Sequence, residues 1–277
     1  MDGNNNKYIA KIIMSENGKV KIRCYHEWIH HYSSSDSSES NSSRHRHNIN
    51  NPEKIAERSV KRTRSRIYEL IENNIFDMNS FITLTFKDEI SDYYLAHYYL
   101  QNYFRRIKYH MKKTGQEFKY ICILEIQEER SKKYGTDVIH FHLLTNLKVG
   151  SFFIPKRERK VQYSHTKGRW ITSYYYDLPF WKHGYSTAEA LDKNSSTGGL
   201  MYYLSKYMSK SSNHSFFNKR KILHSNNLKS NVVEYITDIK ELEQIMTDYE
   251  PFLQNVYSYN SQKPYITSFD DYEYQIK

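Results

Sequence analysis

Residues Val138–Thr145 read Val-Ile-His-Phe-His-Leu-Leu-Thr. Large and β-branched apolar residues surround two histidines, a composition that predicts a strand against a core. Side chains alternate along a strand, so His140 and His142 point to one side and Phe141 to the other. Two imidazoles side by side on a rigid strand form half of a divalent-metal site. Burial among apolar neighbours favours the neutral rings that ligation needs. The spacing decides little without this context. His45 and His47 have the same separation in a polar, Ser-rich stretch with no strand pattern.

Two more β-prone runs precede this one, Phe81–Phe86 (FITLTF) and Tyr120–Gln127 (YICILEIQ). Between them, Ser91 to about Lys113 is periodic, opens on Ser or Asp and ends at Gly115, which predicts a helix. Glu128–Asp137 is short and polar enough to close a hairpin between the second and third strands. A further helix is predicted over about Gly199–Ser211. Strand–helix–strand–strand–helix points to an α+β fold, with helices packed on an antiparallel central sheet.

Outside this segment, Tyr8–Ile13 and Lys19–Tyr25 flank Glu16-Asn17-Gly18, a hairpin signal. Ser33–Ser43 is almost wholly Ser, Asp, Glu and Asn and cannot build a core, so it is expected to be a flexible linker. Pro52 opens a predicted helix to about Glu72 that carries Arg58, Lys61, Arg62, Arg64 and Arg66. These cations are expected to contact nucleic-acid phosphates; a merely solvated face is the alternative. Phe152–Trp181 is aromatic and basic, without clear boundaries. After Ser212 the chain is mostly polar, with one predicted helix near Asp238–Asp248. The expected division is 1–50 (hairpin and linker), 51–212 (catalytic core) and 213–277 (tail or accessory segment).

Composition narrows the partner. The 277 residues hold 41 Lys+Arg against 31 Asp+Glu, a net charge of +10, which favours a polyanion. Aromatics are 16% of the chain, with 27 tyrosines. Rings among cations suit single-stranded nucleic acid, where bases stack and phosphates pair. Cys24 and Cys122 stand in unrelated contexts, which argues against a disulfide framework or a zinc site and for a reducing compartment. No apolar run reaches membrane-spanning length and no leader is visible, so a cytoplasmic protein with no membrane partner is expected.

Two histidines rarely complete a metal site. Glu125, on the strand expected to pair with the histidine strand, is the candidate third ligand, and a carboxylate there favours Mg²⁺ or Mn²⁺. Glu128 and Glu129 are alternatives nearby. Tyr203-Leu204-Ser205-Lys206-Tyr207-Met208-Ser209-Lys210 is the second constellation. On a helix, Tyr203, Lys206, Tyr207 and Lys210 share one stripe, while Leu200, Leu204 and Met208 form an apolar face. A phenol titrates near ~10 and needs help as a nucleophile, which adjacent lysines supply.

In this order, FITLTF, HFHLL and YLSKYMSK resemble the motifs of HUH endonuclease replication initiators. The likeness is to those of microviruses, small single-stranded DNA bacteriophages, and of related rolling-circle plasmids. It spans roughly Phe81 to Lys210. His140-Phe141-His142 matches the two-histidine motif, and Tyr203, Lys206, Tyr207 and Lys210 match the two-tyrosine motif. The resemblance implies an antiparallel, ferredoxin- or RRM-like palm with helices. It also implies metal-dependent nicking of single-stranded origin DNA, with a 5′-phosphotyrosine and a free 3′-hydroxyl as products. One tyrosine would attack and the second would serve a later cleavage-and-rejoining cycle. Lys206 would act near the attacking or leaving oxygen, with Lys210 more peripheral. A host polymerase would extend the 3′ end. The absence of a Gly-x-x-x-x-Gly-Lys-Ser/Thr loop argues against a fused ATP-driven helicase, so a host helicase is an expected partner. The alternatives are an HUH transposase or relaxase, a metal phosphoesterase using activated water, and a non-enzymatic single-stranded nucleic-acid-binding protein.

Overall fold

A computed structural model describes residues 7–30, 52–135, 137–164, 168–176, 178–191, 219–260 and 267–276. Strands β1 (Lys7–Met14) and β2 (Lys19–His30) pair antiparallel, with Met14 opposite Val20, as the Asn-Gly signal predicts. Gly18 adopts φ +79°, and a Cβ there would collide with the backbone oxygen of Ile276. Helix α1 (Pro52–Asn74) leads into β3 (Ser80–Thr85), α2 (Tyr93–Lys113) and β4 (Tyr120–Ile126). Then come α3 (Glu128–Tyr134), β5 (Ile139–Thr145), β6 (Lys156–Ser164), β7 (Arg169–Tyr176), β8 (Ser186–Ala190) and β9 (Ile222–His224). Strand β10 (Val232–Ile236), α4 (Ile239–Tyr249), β11 (Leu253–Tyr259) and β12 (Phe269–Gln275) complete the described elements.

The fold is α+β, with two five-stranded antiparallel sheets and a two-stranded ribbon of β6 and β7. The chain divides into two compact units, residues 53–228 and residues 1–52 with 229–277.

In the 53–228 unit the sheet order is β8-β3-β5-β4-β9, so the histidine strand is the middle one. All seven of its residues are buried. One face carries Ile82, Leu84, Cys122, Leu124, Phe141 and Leu143, packed by α2 through Leu100, Tyr103, Phe104 and Ile107. Those helix positions recur at the three- and four-residue spacing that makes one apolar stripe. Asp92 caps α2 by accepting from Leu95 N at 2.7 Å. The other face carries Phe81, Ile121, Ile123 and Leu144, packed by Ile67, Leu70 and Ile71 of α1. Gly184, beside β8, lies so close to β3 that a Cβ would strike the backbone of Thr85 and Lys87.

Several expectations are corrected. Glu128–Asp137 is not a simple hairpin loop: residues 128–134 form α3, closed by Gly135 at φ +71°. Alternating runs within Phe152–Trp181 form β6 and β7. Strands within 213–277 do not stand apart from the rest. Strand β9 joins the histidine sheet beside β4. Strands β10 and β12 pair with β1 and β2, so both chain ends share a sheet ordered β10-β1-β2-β12-β11. The helix foreseen near Asp238–Asp248 is α4. The helix foreseen near Gly199–Ser211 lies outside the described residues, as does the Ser33–Ser43 stretch. Among the described residues, no helix is long and apolar enough to cross a membrane.

Two substitutions test the α2 side of this core. Phe141 is fully buried, and Phe141→Ala is expected to cost about 3–5 kcal/mol in denaturant unfolding. The buried Tyr103 hydroxyl has no hydrogen-bond partner, so Tyr103→Phe is expected to be neutral or stabilising by about 1 kcal/mol. A loss of more than about 1 kcal/mol in Tyr103→Phe would refute that account of the core.

Candidate active site

Register decides which side chains meet. Glu125 on β4 lies directly opposite His140 on β5, and on the other flank Thr85 and Thr83 of β3 lie opposite His140 and His142. Directly opposed residues share a face. Glu125, His140 and His142 therefore sit together, and all three are buried. The sequence expectation for these three residues matches their placement on one face.

His142 is held from three sides. Glu125 Oε2 lies 2.6 Å from its Nε2 and Thr83 Oγ1 lies 3.1 Å from its Nδ1. Phe81 stacks on the ring, with centroids 5.7 Å apart and planes within 11°. A carboxylate only accepts, so Nε2 donates to Glu125 and Nδ1 accepts the Thr83 hydroxyl proton. His140 differs. Its Nε2 is buried with no hydrogen-bond partner. Burial first, then the neighbouring His142 and Arg130 charges, push its pKa from 6.5 down to about 4. Arg130 is fixed on α3, where it donates to the Phe86 carbonyl at 3.1 Å. His140 is thus a neutral ring with a nitrogen lacking a partner, the state in which imidazole binds a cation.

The donor set, two imidazoles and a carboxylate, fits Mn²⁺ or Mg²⁺ in kind. Among the described residues no three His, Cys, Asp or Glu side chains already stand as a metal site. The reason is visible in the geometry, since Glu125 is turned onto His142 Nε2. Ligation through that nitrogen needs the other tautomer, with Nδ1–H donating to Thr83 and Glu125 released toward the ion. A hydroxyl serves either tautomer because it both donates and accepts.

The remaining candidates are scattered. Tyr203, Lys206, Tyr207 and Lys210 lie outside the described residues. On α1, Lys61 and Arg62 are exposed and Arg64 is half-buried. Arg66 pairs with Glu69 at 2.7 Å, an open pair of little energetic weight. Nothing is described of the Arg58, Glu128 and Glu129 side chains. No local signal singles out Thr83, Phe81 or Arg130 as neighbours of the histidines. Strand alternation within FITLTF places Thr83 on one face with Phe81, but does not place it opposite His142. A polar cavity of about 550 Å³ lined by Asp77, Lys119, Asn146 and Phe152 holds none of these residues. It opens beyond Thr145, at the end of β5 away from His140.

Residues 79–212 match the model of the ORF2 family of replication-associated proteins. The match begins at β3 and contains the whole of the Glu125, His140 and His142 cluster. No curated protein and no solved structure matches the chain.

The His140 environment has a signature in solution. Its NMR titration midpoint is expected near pH 4 rather than 6.5. Between those values the unfolded ring is protonated and the folded ring is not. The unfolded state then binds more protons, so this group lowers folding stability as pH falls from 6.5 toward 4. A His140 midpoint above about 6 would contradict the buried, unpartnered placement.

Proposed function

We propose, from the premise that residues 79–212 belong to this rolling-circle replication initiator family, that the protein nicks single-stranded origin DNA with a tyrosine nucleophile. The supporting observation is the buried Glu125, His140 and His142 cluster on the middle strand of the matched segment. Bound Mg²⁺ or Mn²⁺ would supply polarisation of the scissile phosphate.

The chain's own residues do the rest. His140 offers its Nε2 without a competing partner, and Thr83 fixes the His142 ring plane through Nδ1. Glu125 provides the oxygen. Tyr203 or Tyr207 attacks phosphorus through its phenolic oxygen, forming the tyrosine–phosphate bond. The bond to the 3′ oxygen breaks, and that oxygen takes a proton to become the 3′-hydroxyl. Lys206 lies one turn from Tyr203 and next to Tyr207 in sequence, where it favours phenolate and offsets phosphoryl charge. Lys210 plays the more distant part. Two tyrosines allow the joined strand to be passed from one to the other after a round of synthesis. The helix α1 cations, Arg58, Lys61, Arg62, Arg64 and Arg66, contact backbone phosphates. A host polymerase extends the 3′ end and a host helicase opens the duplex, in the host cytoplasm of a phage or plasmid.

The test is a single-stranded origin oligonucleotide with Mn²⁺, scored for a protein–DNA adduct that survives denaturation. The parent chain forms it, and Tyr203→Phe/Tyr207→Phe does not. His140→Ala/His142→Ala loses the Mn²⁺-dependent adduct. Free phosphate ends without adduct would assign the chemistry to activated water. Binding without any cleavage would reduce the protein to a DNA-binding module. Thr83→Val, which removes the partner of His142 Nδ1, is expected to weaken Mn²⁺ affinity about 10-fold or more by calorimetry. Unchanged affinity would remove Thr83 from the site.

A further inference from the structure

The sheet built from both chain ends has two unlike faces. One is a core, where Ala10, Ile12, Val20, Ile22 and Ile236 pack under Leu242, Ile245 and Met246 of α4. The other carries a row of rings, one from each strand: Tyr235, Tyr8, Tyr25, Phe269 and Tyr259. Successive centroids are 4.7, 5.6, 6.3 and 5.2 Å apart. Phe269 lies in register with Tyr25 and Tyr259. The terminal rings are the more open, Tyr235 at 41% and Tyr259 at 43% exposure.

A charged row runs beside the rings. Lys11, Arg23 and Asp271 are cross-strand partners on β1, β2 and β12. Lys11 Nζ lies 5.9 Å from the Tyr235 ring centre and the Arg23 guanidinium 3.9 Å from that of Phe269. Arg23 also makes two 2.7 Å bonds to Asp271, and Lys21 meets Glu273 at 2.6 Å.

We infer that this face is a second binding surface, a stacking platform for single-stranded DNA outside the matched segment. Rings accept bases of any sequence, and cations held at the ring row's edge meet the sugar–phosphate chain. The occupant is a nucleic-acid strand rather than another copy of the chain. Protein–protein interface cores are depleted of charge, and here ion pairs run alongside a stripe only one ring wide. The choice of DNA over RNA rests on the proposed origin nicking; the ring row does not.

The test uses the full chain in EDTA with fluorescein-labelled oligothymidylate, read by polarisation. Tyr235→Ala and Tyr259→Ala are each expected to raise Kd on the order of tenfold. Tyr235→Phe and Tyr259→Phe, which keep the ring, bind like the parent and control for folding. Parent-like binding by the Ala variants overturns the inference. So does a loss of self-association in those variants with DNA binding intact. Cross-linking of 5-iododeoxyuridine oligonucleotides is expected to label peptides holding Tyr25, Phe269 or Tyr235, and labelling confined to residues 53–228 overturns it. Tighter binding of oligouridylate would assign the surface to RNA and overturn the DNA choice. Adduct formation is scored separately, so the platform and the nicking activity fail or hold independently.

Discussion

The placement of β5 between two cores governs the rest of the 53–228 unit. Phe141 and Leu143 are held under α2, and strand alternation then leaves His140 and His142 no freedom but the opposite face. A one-residue slip would bury the imidazoles under α2 and expel Phe141. The α2 packing therefore fixes the site it does not touch. The neighbouring strands act through register. Pairing with β4 brings Glu125 opposite His140, and pairing with β3 brings Thr83 opposite His142.

The two histidines share a strand but not a chemistry. His142 is tied by Glu125, Thr83 and Phe81, while His140 is buried with Nε2 bare and its pKa lowered by burial. One ring is oriented and the other is kept neutral, and a divalent-metal site needs both conditions. Family membership of residues 79–212 gives the cluster its setting as part of a replication initiator. The sheet shared by the two chain ends adds a different surface, built from rings and ion pairs and not from ligating groups.

Most of the central elements were legible in the sequence because their signals are local. FITLTF, YICILEIQ and VIHFHLLT are β-prone runs long enough to read alone, and α2 carries its own cap and stripe. The short strands escaped. Ser186–Ala190 and Ile222–His224 are three to five residues long and become strands only by pairing with β3 and β4. Residues 128–134 look like hairpin filler, yet Gly135 in the left-handed region closes a helical turn there. The tail looked separable because its strands are polar on one side, the face that carries Asp271 and Glu273.

By itself the sequence determined that His140 and His142 share a face, because a two-residue period is a property of the strand and needs no partner. It also determined the order of strands and helices, and the capped, striped form of α2. Tertiary structure decided which carboxylate stands beside the histidines, which hydroxyl orients His142, and why His140 stays neutral. It alone joined β1 and β2 to strands more than two hundred residues away. Those outcomes depend on register and burial, which arise only when distant segments pair and exclude water.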